Sequence, residues 1–361
     1  MDGTNYMDRA LELAEQARGQ TSPNPMVGAV IVRDGRVVGE GYHHRAGQPH
    51  AEVNAIRSAG VQARGAILYV SLEPCCHTGR TPPCTQAIIE AGIRKVVCAL
   101  EDPNPKVSGG GIRALREAGL EVEVGPGADK ASQLNEAYLV YARTGRPFVT
   151  LKIAQTIDGR IAAADGRSRW ISGEASRRLV HRLRAHSDAV LVGINTVISD
   201  DPRLTVRAVA GRNPHRLILD ASLRLPPEAR LLEDRSGART IIVTGERPKP
   251  SAAADLRARG AEMWSLPLSG PGRIDLDALL DRAGQEGLTS ILVEGGAAVF
   301  TSFLRARRVH KLHLFLAPKI LGAGLSAIAD LNITSLDQAL CLGKTRVEPM
   351  EGDLLVTGYM S

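Results

Sequence analysis

The segment His50-Ala51-Glu52, followed by Pro74-Cys75 and Pro83-Cys84, constrains the fold of this chain more than any other feature. One imidazole and two thiolates are three good zinc ligands. Three protein ligands rather than four leave a position for water, which zinc makes acidic near neutral pH. Residues two apart on a regular helix face different ways. His50 and Glu52 can therefore serve one centre only from the irregular opening turn of a helix, with Pro49 setting the chain direction. Glu52, beside the imidazole ligand, is the candidate proton shuttle. Pro74 and Pro83 each fix how the following sulfur is presented, and a thiolate at a helix N-terminus is favoured electrostatically.

The competing reading is a structural zinc site, or buried thiols with no metal. His-x-Glu ahead of two Pro-Cys steps in this order weighs against it. The chain has five Cys, at 75, 76, 84, 98 and 341. An odd number with three in ten residues points to metal binding in a reducing compartment, not to a disulfide framework. Cys76 is expected to turn its sulfur away from its neighbour's, and His77 to be a hydrogen-bonding loop residue. Cys98 and Cys341, flanked by apolar residues, are expected in cores. The spacing also narrows the substrate. Zinc enzymes acting on cytidine or nucleic-acid bases carry Cys-x-x-Cys, whereas here Cys-His-Thr-Gly-Arg-Thr-Pro-Pro separates the two Pro-flanked cysteines. Arg80, at the tip of that loop, suits a bidentate grip on a phosphate.

Aromatic residues make up only 3% of the chain, too few for a surface that stacks single-stranded bases. The net charge of +6 is mild and fits attraction for phosphorylated small molecules, since the densest basic run, Arg177 to Arg184, reads as a solvated helix face. No nucleic-acid partner is expected. No apolar run approaches the ~20 residues of a membrane span, and the N-terminus has no apolar signal core. A cytoplasmic protein with no membrane association is expected.

Strand and helix alternate along the chain. The spacing predicts an amphipathic helix over 5–18 and a hairpin of 27–32 with 37–42 turning at Asp34-Gly35. Strands follow at 67–70, 95–100 and 121–124, with a helix across 128–142. Thr144-Gly145-Arg146-Pro147 is the best linker, dividing the chain into residues 1–145 and 146–361. Beyond it, strands are predicted at 148–154, 189–192, 216–219, 240–243, 290–293 and 311–315, with a polar, irregular surface segment at 245–275. No internal repeat relates the halves, so the chain reads as a fusion of two different α/β domains. The second half lacks Gly-x-Gly-x-x-Gly. Its Val293-Glu294-Gly295-Gly296 closes an apolar strand before a helix, where backbone N–H groups can approach a pyrophosphate. Leu191-Val192-Gly193-Ile194-Asn195-Thr196, leading to Asp200-Asp201-Pro202-Arg203-Leu204-Thr205, is a second cluster. A third runs from Leu151-Lys152 to Asp158-Gly159-Arg160, with Trp170 shortly after.

His50-Ala-Glu52, Pro74-Cys75-Cys76-His77-x-Gly79-Arg80-Thr81-Pro82-Pro83-Cys84 and Thr21-Ser-Pro23-Asn24-Pro25-Met-Val27-Gly28 resemble the deaminase half of the bifunctional riboflavin-biosynthesis deaminase/reductase. Position 76 is commonly Ser in that family, so Cys76 departs from it. The three downstream clusters resemble the reductase half, and together the halves cover almost the whole chain in the family's order. The resemblance implies an N-terminal cytidine-deaminase-like three-layer α/β domain and a C-terminal dihydrofolate-reductase-like domain. It also implies Zn²⁺ and NADPH as cofactors, a phosphorylated pyrimidine as substrate, and a homo-oligomer. The first reaction would deaminate 2,5-diamino-6-(5-phosphoribosylamino)pyrimidin-4-one. The second would reduce the ribosyl side chain of the product to ribityl. Carried onto this chain, His50, Cys75 and Cys84 hold the metal and Glu52 is catalytic. Asn24, His43 and Arg80 contact the first substrate, against plain readings of a turn Asn and a solvent-exposed His. Asp102 and Asn104 follow a strand, where α/β sheets bind ligands, though a simple turn is equally compatible. Ala154, Trp170, Thr196, Asp200, Ser222, Gly296, Ala297 and Ala298 line the reductase cofactor. Lys152, Ser168, Arg184, Leu204, Arg207 and Glu294 hold the second substrate, with Lys152, Asp200 or Glu294 orienting or protonating the reacting nitrogen. Without the resemblance, Arg184 would read as a surface charge and Trp170 as a packed aromatic. Two other functions compete: a nucleoside or tRNA deaminase fused to an unrelated nucleotide-binding domain, and a zinc-stabilised nucleotide-binding regulator without catalysis.

Overall fold

The computed structural model describes residues 3–78, 82–246 and 250–360, and every structural statement below is made of those residues. The chain separates into two compact units, Met1–Arg146 and Pro147–Ser361.

The first unit begins with helix α1 (Gly3–Glu15), then the hairpin β1 (Gly28–Arg33) and β2 (Arg36–Tyr42). Helix α2 (Ala51–Ala59), β3 (Ile67–Val70), α3 (Cys84–Glu90), β4 (Lys95–Cys98), α4 (Gly110–Glu117) and β5 (Glu121–Val124) follow, then α5 (Ala128–Leu134) and α6 (Glu136–Thr144). The strands form one sheet in the order β2-β1-β3-β4-β5, antiparallel through the hairpin and β1–β3, parallel from β3 to β5. Strand alternation sends Ala29, Ile31, Leu68, Val70 and Val96 to one face, against α2, Ile88 of α3 and Leu115 of α4. Val30, Val32, Tyr69 and Val97 go to the other, against α1 and α5. The result is three layers. Gly39 and Gly41 let α2 lie directly on the sheet, because a Cβ at either would fall within 2.4–2.5 Å of α2 backbone.

One predicted element is broken. The helix across 128–142 is two helices meeting at Asn135, whose side chain accepts from Met26 N at 2.8 Å and donates to Met26 O at 2.9 Å. This side chain serves a neighbouring strand lead-in rather than the helix, as Asn tends to do.

The second unit contains β6 (Phe148–Thr156), β7 (Arg160–Ala162), α7 (Glu174–His186), β8 (Ala189–Gly193), α8 (Ile194–Asp200), β9 (His215–Leu219), β10 (Thr240–Thr244), α9 (Pro250–Ala258) and β11 (Ala261–Ser265). After the short pair β12 (Leu268–Gly270) and β13 (Arg273–Ile274) come α10 (Leu276–Gln285), β14 (Ser290–Gly295), α11 (Ala297–Arg305), β15 (Lys311–Ala317), β16 (Leu325–Ser326), β17 (Leu342–Met350) and β18 (Asp353–Met360). The main sheet runs β11-β10-β9-β8-β14-β6-β15-β18-β17. It is parallel from β11 to β15 and closes with the antiparallel strands β18 and β17. One face packs α10 and α11 through Leu279, Leu280, Phe300, Phe303 and Leu304. The other packs Val190, Val192, Ile218 and Ile242 against α8 and the 225–232 segment. This mostly parallel sheet with helices on both faces fits the dihydrofolate-reductase-like domain expected here. Residues 245–275 differ from the expected irregular segment, since they include α9 and the edge strand β11, anchored by buried Leu256 and Trp264. Cys341 is exposed, not in the core, because it leads into β17, whose side chains are mostly outside. Cys98 is buried at the end of β4. No helix is long and apolar enough to cross a membrane.

Candidate functional sites

His50 precedes α2 from an extended backbone (φ −74°, ψ 166°), and Glu52 lies in the first turn. Cys75 follows β3 and Cys84 opens α3, preceded by Pro83 at φ −59°. The mixed sheet brings these three lead-ins together beyond the C-terminal ends of β2 and β3, the usual position for ligands in α/β sheets. The ligand atoms of His50, Cys75 and Cys84 lie within 4.8 Å of one another, the one such His/Cys/Asp/Glu group among the described residues. His50 Nδ1 is 3.2 Å from Cys84 Sγ and 3.6 Å from Cys75 Sγ, and Cys84 N donates to Cys75 Sγ at 3.4 Å. Hydrogen bonding from Cys84, then from His50, holds the Cys75 thiol down to about 4, while Cys84 is pushed up by sharing with Cys75 and by burial. The lowering favours thiolate at Cys75, the form that binds metals. Cys76 does not join it, and its sulfur lies beside Gly110, where a Cβ would fall at 2.9 Å.

Glu52 is 3% exposed, and its Oε2 is buried without a hydrogen-bond partner among the described residues. Burial pushes this carboxyl up to about 7. An unpaired buried carboxylate oxygen is costly, so its persistence beside two thiols and an imidazole fits a site built for a metal and a proton. His77 Nδ1 is likewise buried and unpartnered.

Around the cluster, His43 is buried at 2% exposure, which excludes the solvent-exposed reading. Its ring packs edge-on against His50 with centroids 5.1 Å apart. Asn24 Nδ2 lies 3.1 Å from His43 Nε2, and His43 Nδ1 lies 3.2 Å from Pro49 O. Burial lowers this imidazole from its ordinary value, and in the neutral ring the two contacts are satisfied together when Nδ1 carries the proton and Nε2 accepts from Asn24. Asp102 is also buried. Tyr138 Oη donates to its carboxylate at 2.9 Å, and its Oδ1 accepts from Asn104 N. Tyr138, thirty-six positions away, gave no sequence signal. Arg80 lies outside the described residues.

In the second unit the singled-out residues fall into small groups: Lys152, Arg184, Arg207 and Glu294 around one buried ion pair, Ser168 with Asp200, and Thr196 with the Gly295-Gly296 step. Arg184 of α7 and Glu294 of β14 form a bidentate pair (Nε–Oε1 2.5 Å, Nη2–Oε2 2.6 Å), with side chains only 11% and 8% exposed. Arg184 Nη1 donates to Thr205 O at 3.0 Å. Burial works against both charges, but the pairing keeps Glu294 below and Arg184 above the ordinary value. Burial lowers Lys152, with Glu294 opposing and Arg184 adding to the effect. His181, absent from the sequence reading, joins this group: its Nδ1 accepts from Arg207 N at 3.3 Å, and burial plus the flanking arginines lower it to about 4. The Arg207 side chain is exposed, with Nη1 3.4 Å from Thr205 Oγ1. Leu204 is buried at a positive φ of 54°.

Thr196 faces the Gly295-Gly296 step, where Cβ atoms would sit 3.2 and 3.0 Å from its Oγ1. Gly296 precedes α11 at φ 50°, ψ 166°, a conformation essentially reserved for glycine. It opens the helix at Ala297 and Ala298 with backbone N–H groups free of intrahelical partners. Ser168 donates to Asp200 Oδ1 at 3.2 Å. Trp170 is 62% exposed rather than packed, with Arg177 4.5 Å over its ring and Lys319 Nζ donating to its carbonyl at 2.7 Å. Ala154 lies on β6 and Ser222 is exposed just beyond β9.

Comparison with known proteins matches both units. The family described as the RibD C-terminal domain matches residues 147–356. The family described as the cytidine and deoxycytidylate deaminase zinc-binding region matches residues 2–100. The riboflavin biosynthesis protein RibD of Aquifex aeolicus is 46% identical over 353 residues, covering 98% of this chain and 97% of its own. That of Escherichia coli K12 is 41% identical, covering 92% of each. Among solved structures, Acinetobacter baumannii RibD superposes with a TM-score of 0.89 at 39% identity, covering 99% of this chain and 98% of its own. The diaminohydroxyphosphoribosylaminopyrimidine deaminase/5-amino-6-(5-phosphoribosylamino)uracil reductase of Thermotoga maritima gives 0.85 at 38% identity, with the same coverage.

Proposed function

Because the chain belongs to the RibD family of bifunctional riboflavin-biosynthesis enzymes, a zinc-dependent deaminase joined to a reductase, we propose how its residues divide the two reactions. The first unit acts on 2,5-diamino-6-(5-phosphoribosylamino)pyrimidin-4-one, removing its ring amino group. The second reduces the ribosyl side chain of that product to ribityl, with NADPH. One observation carries the reading: three soft and borderline ligands converge within 4.8 Å beside the buried Glu52 carboxylate, whose Oε2 has no hydrogen-bond partner among the described residues.

In the first site His50, Cys75 and Cys84 hold the metal, and zinc, when bound, supplies a Lewis-acidic centre that makes water nucleophilic near neutral pH. Glu52 Oε2 takes up the proton released as water adds to the amino-bearing carbon and hands it to the departing nitrogen, which leaves as ammonia. Asn24 fixes the His43 ring, and the two present one wall to the pyrimidine. Arg80 is assigned to its phosphate. Cytidine-type Cys-x-x-Cys spacing is absent, in keeping with the bulkier ribotide.

In the second site Gly296, Ala297 and Ala298 offer backbone N–H groups to the cofactor pyrophosphate. Ala154, Thr196, Asp200, Ser222 and the exposed face of Trp170 complete the cofactor wall. NADPH supplies the reducing equivalents, so the protein contributes position and charge rather than a nucleophile. Arg207 offers its guanidinium to the sugar phosphate. Arg184 is committed to Glu294 and thereby sets the carboxylate between Lys152 and His181. Ser168, Leu204, Lys152 and Glu294 line the substrate side. The homo-oligomer implied by the family resemblance belongs to this reading and is checked by light scattering.

The test follows ammonia and the absorbance of reduced nicotinamide together on the diaminopyrimidine ribotide. Glu52→Gln should lower ammonia release by about 10²–10⁴-fold, with zinc retained and NADPH oxidation on the already deaminated substrate intact. Ammonia release at the wild-type rate would remove Glu52 from its role. Ammonia release without NADPH consumption in the wild type would sink the reductase assignment.

A further inference from the structure

Glu73 is buried at 4% exposure immediately before Pro74-Cys75, and it takes no part in the chemistry above. Its carboxylate accepts four backbone N–H groups from one distant segment. Oε2 takes Asp102 N and Gly109 N, each at 3.0 Å, and Oε1 takes Gly111 N at 2.9 Å and Ile112 N at 3.0 Å. The first amides of a helix have no intrahelical acceptor, and a side chain at the residue before the helix usually supplies one. Before α4 that residue is Gly109, which has no side chain to offer. Glu73, just beyond the end of β3, caps α4 instead.

The consequences reach Cys75 by close packing. A Cβ on Gly111 would lie 2.0 Å from Pro74 O, and one on Gly110 would lie 2.9 Å from Cys76 Sγ. The residues on both sides of Cys75 therefore rest against the opening turn of α4, while Glu73 clamps that turn. The same carboxylate holds Asp102 N, at the start of the segment whose Asp102 side chain is fixed by Tyr138.

We propose that Glu73 is a positioning residue of the deaminase. By locking the 102–112 segment to the end of β3, it fixes where the Cys75 sulfur is presented. The inference rests on Cys75 being a metal ligand, as read above, and the experiment separates the two claims. Outer contacts that orient metal ligands typically change metal affinity or activity by about 10–100-fold when removed. Glu73→Gln replaces an acceptor oxygen with an N–H₂ group facing backbone N–H donors, so the clamp cannot close. Full-length wild type and Glu73→Gln, loaded with Co²⁺ as probe, are compared by thiolate-to-cobalt absorption and chelator competition. Glu73→Gln should show shifted bands, a Co²⁺ affinity lower by about 10–100-fold and a similar fall in kcat for ammonia release. KM should move less, and NADPH oxidation on deaminated substrate should stay unchanged.

Unchanged bands and affinity in Glu73→Gln overturn the inference, whatever its activity. Absence of thiolate-to-cobalt bands in the wild type instead removes the metal-site reading. Should the substitution unfold the first unit, amide exchange on the wild type decides. The N–H groups of Asp102, Gly109, Gly111 and Ile112 are expected to be protected to the level of the sheet, and exchange at open-loop rates overturns the clamp.

Discussion

At the scale of single residues, each unit holds a polar cluster largely out of water: His50, Cys75 and Cys84 in the first, Arg184 with Glu294 in the second. His50, Glu52, Cys75 and Cys84 announce themselves because metal-ligand types sit in a fixed order beside prolines. Arg184 carries no such signal, since its partner Glu294 is 110 positions away. The pair makes a sharp expectation. Removing one partner of a buried ion pair leaves the other charge uncompensated and costs about 3–5 kcal/mol. Arg184→Ala should therefore lower the melting temperature of the second unit by several degrees and depress reductase kcat/KM, with ammonia release from the same chain preserved. Wild-type reductase kinetics in Arg184→Ala would show that Glu294 needs no cation to stay in place. His43 was equally undecided in sequence, because a His between Tyr42 and His44 reads as readily exposed as buried. Its burial follows from Asn24 and Pro49 meeting its two nitrogens, and neither contact leaves a pattern in the chain.

Among the elements, period and turn chemistry located most strands, and failures occurred where a long-range contact overrode local preference. Asn135 splits one helix into two because its amide is needed at Met26. The 245–275 segment reads as irregular because edge elements such as α9 and β11 need only one apolar face, and β17 leaves no pattern in the chain for the same reason. Two predictions belong here. Gly296 adopts a backbone conformation that costs a side-chain-bearing residue about 1–3 kcal/mol, and a methyl there meets Thr196 Oγ1 at 3.0 Å. Gly296→Ala should weaken NADPH binding by about tenfold, a difference of about 1.4 kcal/mol, read by quenching of the bound nicotinamide fluorescence. Unaltered NADPH affinity would place the pyrophosphate elsewhere. The second concerns β15. His313 pairs with Thr357 of β18, with Nδ1 3.0 Å from Thr357 Oγ1, and burial, helped by Lys311, lowers its imidazole from 6.5 to about 4. The fold thus favours the neutral ring. Its contribution, on the order of 3 kcal/mol, is complete above pH 6.5 and is lost as pH falls through about 4. Melting of the second unit should weaken over that window, and His313→Gln should flatten the dependence. An identical pH profile in His313→Gln would mean that the ring is not held neutral by burial.

For the whole molecule, the two units carry separate cores and separate chemistry, one needing a metal and the other none among its assigned residues. The order of reactions then makes metal removal a discriminating experiment. Deamination precedes reduction, so on the starting ribotide a chelator should stop ammonia release and NADPH oxidation together, because the reductase receives no substrate. Supplied with the deaminated ribotide, the same chelated enzyme should oxidise NADPH at close to its untreated rate. Restoring Zn²⁺ should recover both signals on the starting ribotide, with ammonia appearing first. On the proposed assignment a chelator withdraws the metal from His50, Cys75 and Cys84, which could hold it, and leaves the proposed reductase residues Lys152, Arg207 and Glu294 unaffected. If NADPH oxidation on the deaminated ribotide declined in step with zinc loss, the metal would be serving the reductase as well, and the division of labour between the two units would have to be abandoned.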